Sequence, residues 1–181
     1  MNKFFYAVIE IQINDGVPAA TPVIIKDKLS DAQGEMFVKM GYAYQHPRDY
    51  TEVIVIDQSG DIPYDVQPVI IDNREDRTVP VFSMTEIQIN ETDPVAVPVN
   101  VQVGDEAESL VMQAYHNALS YAWNVKRPYT LCYAAWTFGA VERKETVDFM
   151  PQPETGDGIL DVPSDDEVTE GEGKDEEEEA L

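Results

Sequence analysis

The chain has 181 residues, 43% of them apolar, enough to bury the core of one domain or two small ones. Its formal charge of −23 sets 35 acidic side chains against 12 basic ones. No basic stripe stands against that excess, which argues against nucleic acid and anionic membrane as partners, and the single cysteine, Cys132, leaves no intrachain disulfide to form.

In chain order, residues 5–13 alternate. Ala7, Ile9, Ile11 and Ile13 point one way, Tyr6, Val8, Glu10 and Gln12 the other, as in a strand with one buried face. The opening residues lack the apolar run and small-residue site of a signal peptide, and no segment is long and apolar enough to span a membrane, so signal-directed export is not expected. Asn14-Asp15-Gly16 reads as a turn. A second strand is expected over Ala19–Ile25, at an edge or with a bulge because Pro22 lies inside it. Ser30 with Gln33 forms a capping-box pattern, and Ala32, Met36, Met40 and Ala43/Tyr44 give the apolar stripe of a helix that ends before Pro47. Tyr50–Gln58 follows as a well-covered strand rich in Val and Ile.

The same order then returns. Glu10-Ile11-Gln12-Ile13-Asn14 recurs as Glu86-Ile87-Gln88-Ile89-Asn90, offset by 76, with Pro18, Ala20, Pro22 and Val23 matching Pro94, Ala96, Pro98 and Val99. The helix start matches at 75, Ser30-Asp31-Ala32-Gln33 on Asp105-Glu106-Ala107-Glu108, the latter a second capping-box pattern. Arg48, Tyr50, Thr51 and Gly60 match Arg127, Tyr129, Thr130 and Gly139 at 79. The shifts place one lost residue in a loop and four gained ones, about a helical turn, in the helix. The second copy has a strand over Val95–Val103, a longer helix with Ala107, Val111, Ala114/Tyr115, Ala118 and Ala122 on its stripe, a strand over Tyr129–Thr137 and a clear fourth strand over Ala140–Phe149.

The expected fold is therefore α+β: two tandem ββαβ(β) repeats with antiparallel-rich sheets, one helix per repeat and a pseudo-twofold arrangement. Copy one spans 1–62, an extended linker 63–80 and copy two 81–149. The segment 150–181 carries 13 acids against the single base Lys174 and is expected to be a disordered acidic tail.

Chemistry-bearing residues are few. Cys132 falls in a covered strand where copy one has Val53, and reads as a small core hydrophobe. His46 and His116 occupy different places in the unit and lack metal-site spacing. There is no phosphate-loop, dinucleotide, nucleophile-elbow or paired-cysteine motif. No catalytic residues, metal or cofactor are expected. The recurring polar residues are Glu10 with Gln12 and Glu86 with Gln88, which could hold a cation or polar ligand across the pseudo-twofold or simply form the solvated side of an alternating strand, the commoner case. Arg48 with Tyr50 and Arg127 with Tyr129 also recur. They could hold an anion, though an arginine paired with a local acid is commoner. The helix difference directs any functional asymmetry to His116–Trp123 of the longer second helix.

The run Phe5-Tyr6-Ala7-Val8-Ile9-Glu10-Ile11-Gln12, the helix anchored at Ala32 or Ala107 and the strand after Tyr50 or Tyr129 resemble a family of short proteins from phages and prophages of gut bacteria, over most of residues 4–60 and 82–140. The resemblance implies a viral origin, and the expected location is the host cytoplasm or the virion. It implies nothing about catalysis. The expectation is a non-enzymatic interaction protein, virion-associated or accessory. The alternative is a host-directed inhibitor acting by ligand sequestration or by acidic, nucleic-acid-like mimicry. Its partners would be proteins: a second copy of the chain, or a basic protein drawn to the tail.

Overall fold

The computed structural model describes residues 4–91, 93–136 and 140–150, the side chains of 140–142 excepted. The acidic tail expected from 150 onward lies, after Met150, outside the described residues, as does Gly139.

The first half runs β1 (Tyr6–Asn14), β2 (Val17–Ala19), β3 (Ile24–Lys26), α1 (Leu29–Gln45), β4 (Tyr50–Asp57) and β5 (Val69–Asp72). The second repeats it as β6 (Val81–Ile89), β7 (Pro94–Ala96), β8 (Asn100–Val103), α2 (Ala107–Val125), β9 (Tyr129–Trp136) and β10 (Ala140–Asp148). Each half builds one antiparallel five-stranded sheet, ordered β2-β1-β4-β5 with β3 also on β1, and β10-β9-β6-β7 with β8 also on β6. The fold is α+β, with one helix to each sheet.

The hairpin after β1 is tight because Asp15 and Gly16 both take positive φ, 51° and 73°, and Asn14 pairs directly with Val17. Two expectations change here. The second strand of each copy is two short pieces, β2 with β3 and β7 with β8, both on the same long strand. Pro22 and Pro98 sit in the gaps, since proline cannot donate to the ladder. The gaps lie opposite Glu10 and Glu86, whose carbonyls are taken instead by the Thr21 hydroxyl and by the Val97 N–H at 2.9 Å. The capping boxes also do not form. The helix N-caps are Lys28 and Glu106, with no side-chain cap bond, and Ser30 turns to Asp31.

The segment read as a linker contributes to the sheet. β5 pairs with β4 through Val53↔Val69 to Tyr50↔Asp72. Arg74 then fixes the strand end, donating to both Asp72 carboxylate oxygens at 2.9 Å and to the Val79 carbonyl at 2.7 Å. β5 is thus the counterpart of β10.

Alternation assigns the layers. Ala7, Ile9, Ile11, Ile13, Tyr50, Ile54 and Ile56 of the first sheet pack against Ile87, Ile89, Tyr129, Leu131, Tyr133 and Ala135 of the second. Val8, Val53 and Val55 face Ala32 and Met36 of α1. Met84, Cys132 and Ala134 face Val111, Tyr115 and Leu119 of α2. The order is helix, sheet, sheet, helix, with the largest apolar cluster between the sheets, so both halves belong to one compact unit. Their edges cross symmetrically: β2 meets β8 and β3 meets β7, positions that a twofold exchanges. Among the described residues, no helix is long and apolar enough to cross a membrane.

Candidate functional site

The expected site residues regroup once folded. Even-numbered positions of β1 and β6 face the helices, so Glu10 and Gln12 lie under α1, and Glu86 and Gln88 under α2. The loop after each helix brings the arginine onto the same carboxylate. In copy two, Glu86 Oε1 accepts from Arg127 at 2.5 Å and from Gln88 Nε2 at 2.7 Å. In copy one, Glu10 Oε1 accepts from Gln12 Nε2 at 2.5 Å and lies 3.5 Å from the Arg48 guanidinium. An acid–amide–arginine cluster is therefore built twice, where the spacing suggested two separate pairs.

Three readings are corrected. Glu10 and Glu86 do not stand on a solvated outer face: Glu10 is 5% exposed under α1, and the Glu86 side chain keeps 14% of its surface, under α2. Nor can they share a ligand across the pseudo-twofold, because they lie on the two opposite outer faces of the sheet pair. Tyr50 and Tyr129 point into the core between the sheets. Tyr50 donates to Glu52 at 2.5 Å and Tyr129 to the Gln58 carbonyl. The aromatic partners of the arginines are Tyr42 and Tyr121, with guanidinium to ring-centroid distances of 5.5 and 5.2 Å. Tyr42 and Tyr121 are themselves 79 apart, the offset of Arg48 and Arg127, and that coincidence was the available signal.

This register pairs Lys39 with Ala118, each three residues before its tyrosine. The consequence is chemical. Lys39 Nζ donates to Glu10 Oε2 at 2.7 Å and fills the space over the carboxylate, with 13% of its side chain exposed. In copy two Ala118 reaches nowhere near as far. A groove of about 580 Å³ opens between α2 and the interrupted edge strand, with Glu86, Gln88 and Arg127 on its floor. Its walls include Met84, Val97, Pro98, Ala114, Ala118 and Tyr121, with the amides of Asn100 and Asn117. Among the described residues, no hydrogen bond reaches Glu86 Oε2.

Cys132 lies beside Glu86 on the same face of the sheet, paired with it across β6 and β9 and fully buried under α2. Burial first, then the carboxylates of Glu86 and Glu145, pushes its thiol up to about 12. It is a poor nucleophile in that state. His46 packs tilted against Tyr42 at 4.3 Å and His116 meets Tyr115 edge-on at 5.5 Å. Among the described residues, no His, Cys, Asp and Glu cluster is arranged to hold a metal ion.

Glu52 was not anticipated. It takes the place of Leu131 in copy two and faces the inter-sheet core at 1% exposure. Across the sheets, Tyr133 has a buried hydroxyl with no hydrogen-bond partner among the described residues. Its phenol is raised well above the ordinary value, by burial and then by the Glu52 charge. The two form a polar inclusion in the core between the sheets.

Comparison of the chain with protein-family models, with curated proteins and with solved structures finds no match.

Proposed function

We propose that the protein is a non-enzymatic interaction protein that engages its partner through the second repeat. The observation that carries this reading is the contrast between two copies of one scaffold. Lys39 closes the groove of the first, and Ala118 leaves that of the second open over a charged, amide-rimmed floor. A groove of this size with an apolar lining and a few convergent polar groups suits ligand or side-chain capture. The buried, protonated state of Cys132 supports binding over nucleophilic chemistry.

The likeness of each half to short phage and prophage proteins supports a phage setting, as virion component or accessory factor, in the particle or the host cytoplasm. The groove also favours a second reading, a host-directed inhibitor that sequesters its ligand there. A basic protein drawn to the charge of −23, a third reading, does not need the groove.

The test is affinity capture from host lysate with the intact chain, with Ala118→Lys, and with a chain lacking residues 151–181. On this account the captured partner is lost with Ala118→Lys and kept without the tail. Capture that survives Ala118→Lys but needs the tail would replace groove binding by charge mimicry. Mass spectrometry of purified particles separates virion from accessory roles.

A further inference from the structure

We propose that the groove of the second repeat is a binding site for a primary alkylammonium group, seated on Glu86 Oε2 with its methylene chain along Ala114 and Ala118. The inference rests on the reading above that this groove is the binding site, and adds the chemistry of what it takes.

The first repeat supplies the template. There, Oε1 of the strand carboxylate accepts from an amide and lies 3.5 Å from an arginine, and Oε2 receives the ammonium of Lys39 at 2.7 Å. In the second repeat the amide and arginine contacts to Oε1 are kept, at 2.7 and 2.5 Å, and the ammonium alone is absent. What remains is a carboxylate oxygen already oriented by its partners, at the base of a groove whose lining is alanine along the path the lysine chain takes in copy one. An ammonium is a compact donor of three bonds, well suited to one oxygen. A second guanidinium is disfavoured, because Arg127 already occupies the Oε1 side and stacks over Tyr121 at 5.2 Å. The excess negative charge of the chain draws cations to the groove and repels anions.

The ammonium could belong to a free alkylamine or to a lysine side chain of a partner protein, and the arms of the experiment separate the two. Amide chemical-shift changes are followed in the full chain during titration with n-butylammonium, with Nα-acetyl-lysine amide and, as a neutral control, with n-butanol. The expected result is saturable binding of both amines, with shifts at Glu86, Gln88, Ala118 and Tyr121, and at least about tenfold weaker binding of butanol. Tighter binding of acetyl-lysine amide assigns the group to a protein side chain, and tighter binding of butylammonium to a free amine. Glu86→Gln and Ala118→Lys should each weaken the amines by at least about tenfold while leaving the melting curve cooperative. If either variant unfolds, Asn117→Lys fills the same groove from the next helical position and serves in its place. Butanol binding as well as the amines, or amine binding unaffected by the filled groove, overturns the proposal. Amine binding lost with Ala118→Lys while partner capture is unchanged would instead overturn the functional reading and leave the ammonium site standing. The converse, capture lost with no amine bound by the intact chain, would overturn only the ammonium.

Discussion

Lys39 and Ala118 occupy the same place in two copies of one unit, and their difference sets the electrostatics of each half. Among the described residues, Glu10 is held by two cations, Lys39 and Arg48, whereas Glu86 has Arg127 alone. Arg127→Ala would strand a nearly buried carboxylate, and should cost about 2 kcal/mol in urea unfolding. Arg48→Ala, with Lys39 still in place, should cost less than about 1 kcal/mol. Equal losses would show that Lys39 does not share the charge of Glu10. Cys132 makes a second residue-scale prediction. With its thiol raised to about 12, it should resist an aromatic disulfide reagent at pH 8 until the chain is unfolded. Reaction at the rate of a free thiol would contradict its burial. The sequence exposed the recurrence of Glu, Gln and Arg but not their convergence. Strand parity puts Glu10 and Gln12 on one face, yet only the return of the chain after the helix places Arg48 there. Tyr50 was misassigned for the same reason, since its parity sends it to the opposite face.

At the scale of elements, β1 and β6 were legible from alternation and β4 and β9 from near-continuous apolar runs, which are covered on both faces by the other sheet and a helix. The edge strands were less so. Proline announced an irregularity at Pro22 and Pro98, but not that the strand would break opposite the carboxylates and open the groove wall. β5 was missed because its four residues are half-buried and lie in a polar, proline-flanked stretch. That segment can be tested through Asp72. The hydrogen bonds from Arg74 hold its carboxyl below the usual range. A depressed folded-state value stabilises above the ordinary carboxylate range and is lost as pH falls through it. Asp72→Asn should therefore lower stability by about 1 kcal/mol at pH 7 and leave it unchanged near pH 2. A loss of equal size at both pH values would mean that the ion pair contributes nothing. Between the sheets, Ile11→Ala and Ile87→Ala should each cost about 3 kcal/mol, since both side chains are buried in the shared core. A cost confined to one copy would argue against a common core.

For the whole molecule, the two sheet faces that pack together are the same face of one ancestral unit, so the pseudo-twofold follows from burial of matching surfaces. That interface buries Tyr50, Tyr129 and Tyr133, and the layer between α2 and the second sheet buries Tyr115 and Cys132; together they predict alkaline sensitivity. Tyr115 is raised to about 12 and Tyr129 and Tyr133 higher still, mainly by burial, as is Cys132. Acids whose folded values are raised stabilise fully below their unfolded values, near 8.5 for cysteine and 10 for tyrosine, and that contribution is lost as pH rises toward the folded ones. Melting temperature should hold to about pH 8 and then fall progressively toward pH 11, more steeply than in a Tyr133→Phe variant. A flat profile would contradict the burial of these groups.

The central claim is that one scaffold is present twice, closed by its own lysine in the first half and open in the second. Its most direct test is the number of n-butylammonium sites counted by chemical-shift mapping in three full-length chains. The account predicts one site in the natural chain, at Glu86, none in Ala118→Lys, and two in Lys39→Ala, the new one at Glu10. An unchanged count across the three chains would contradict it.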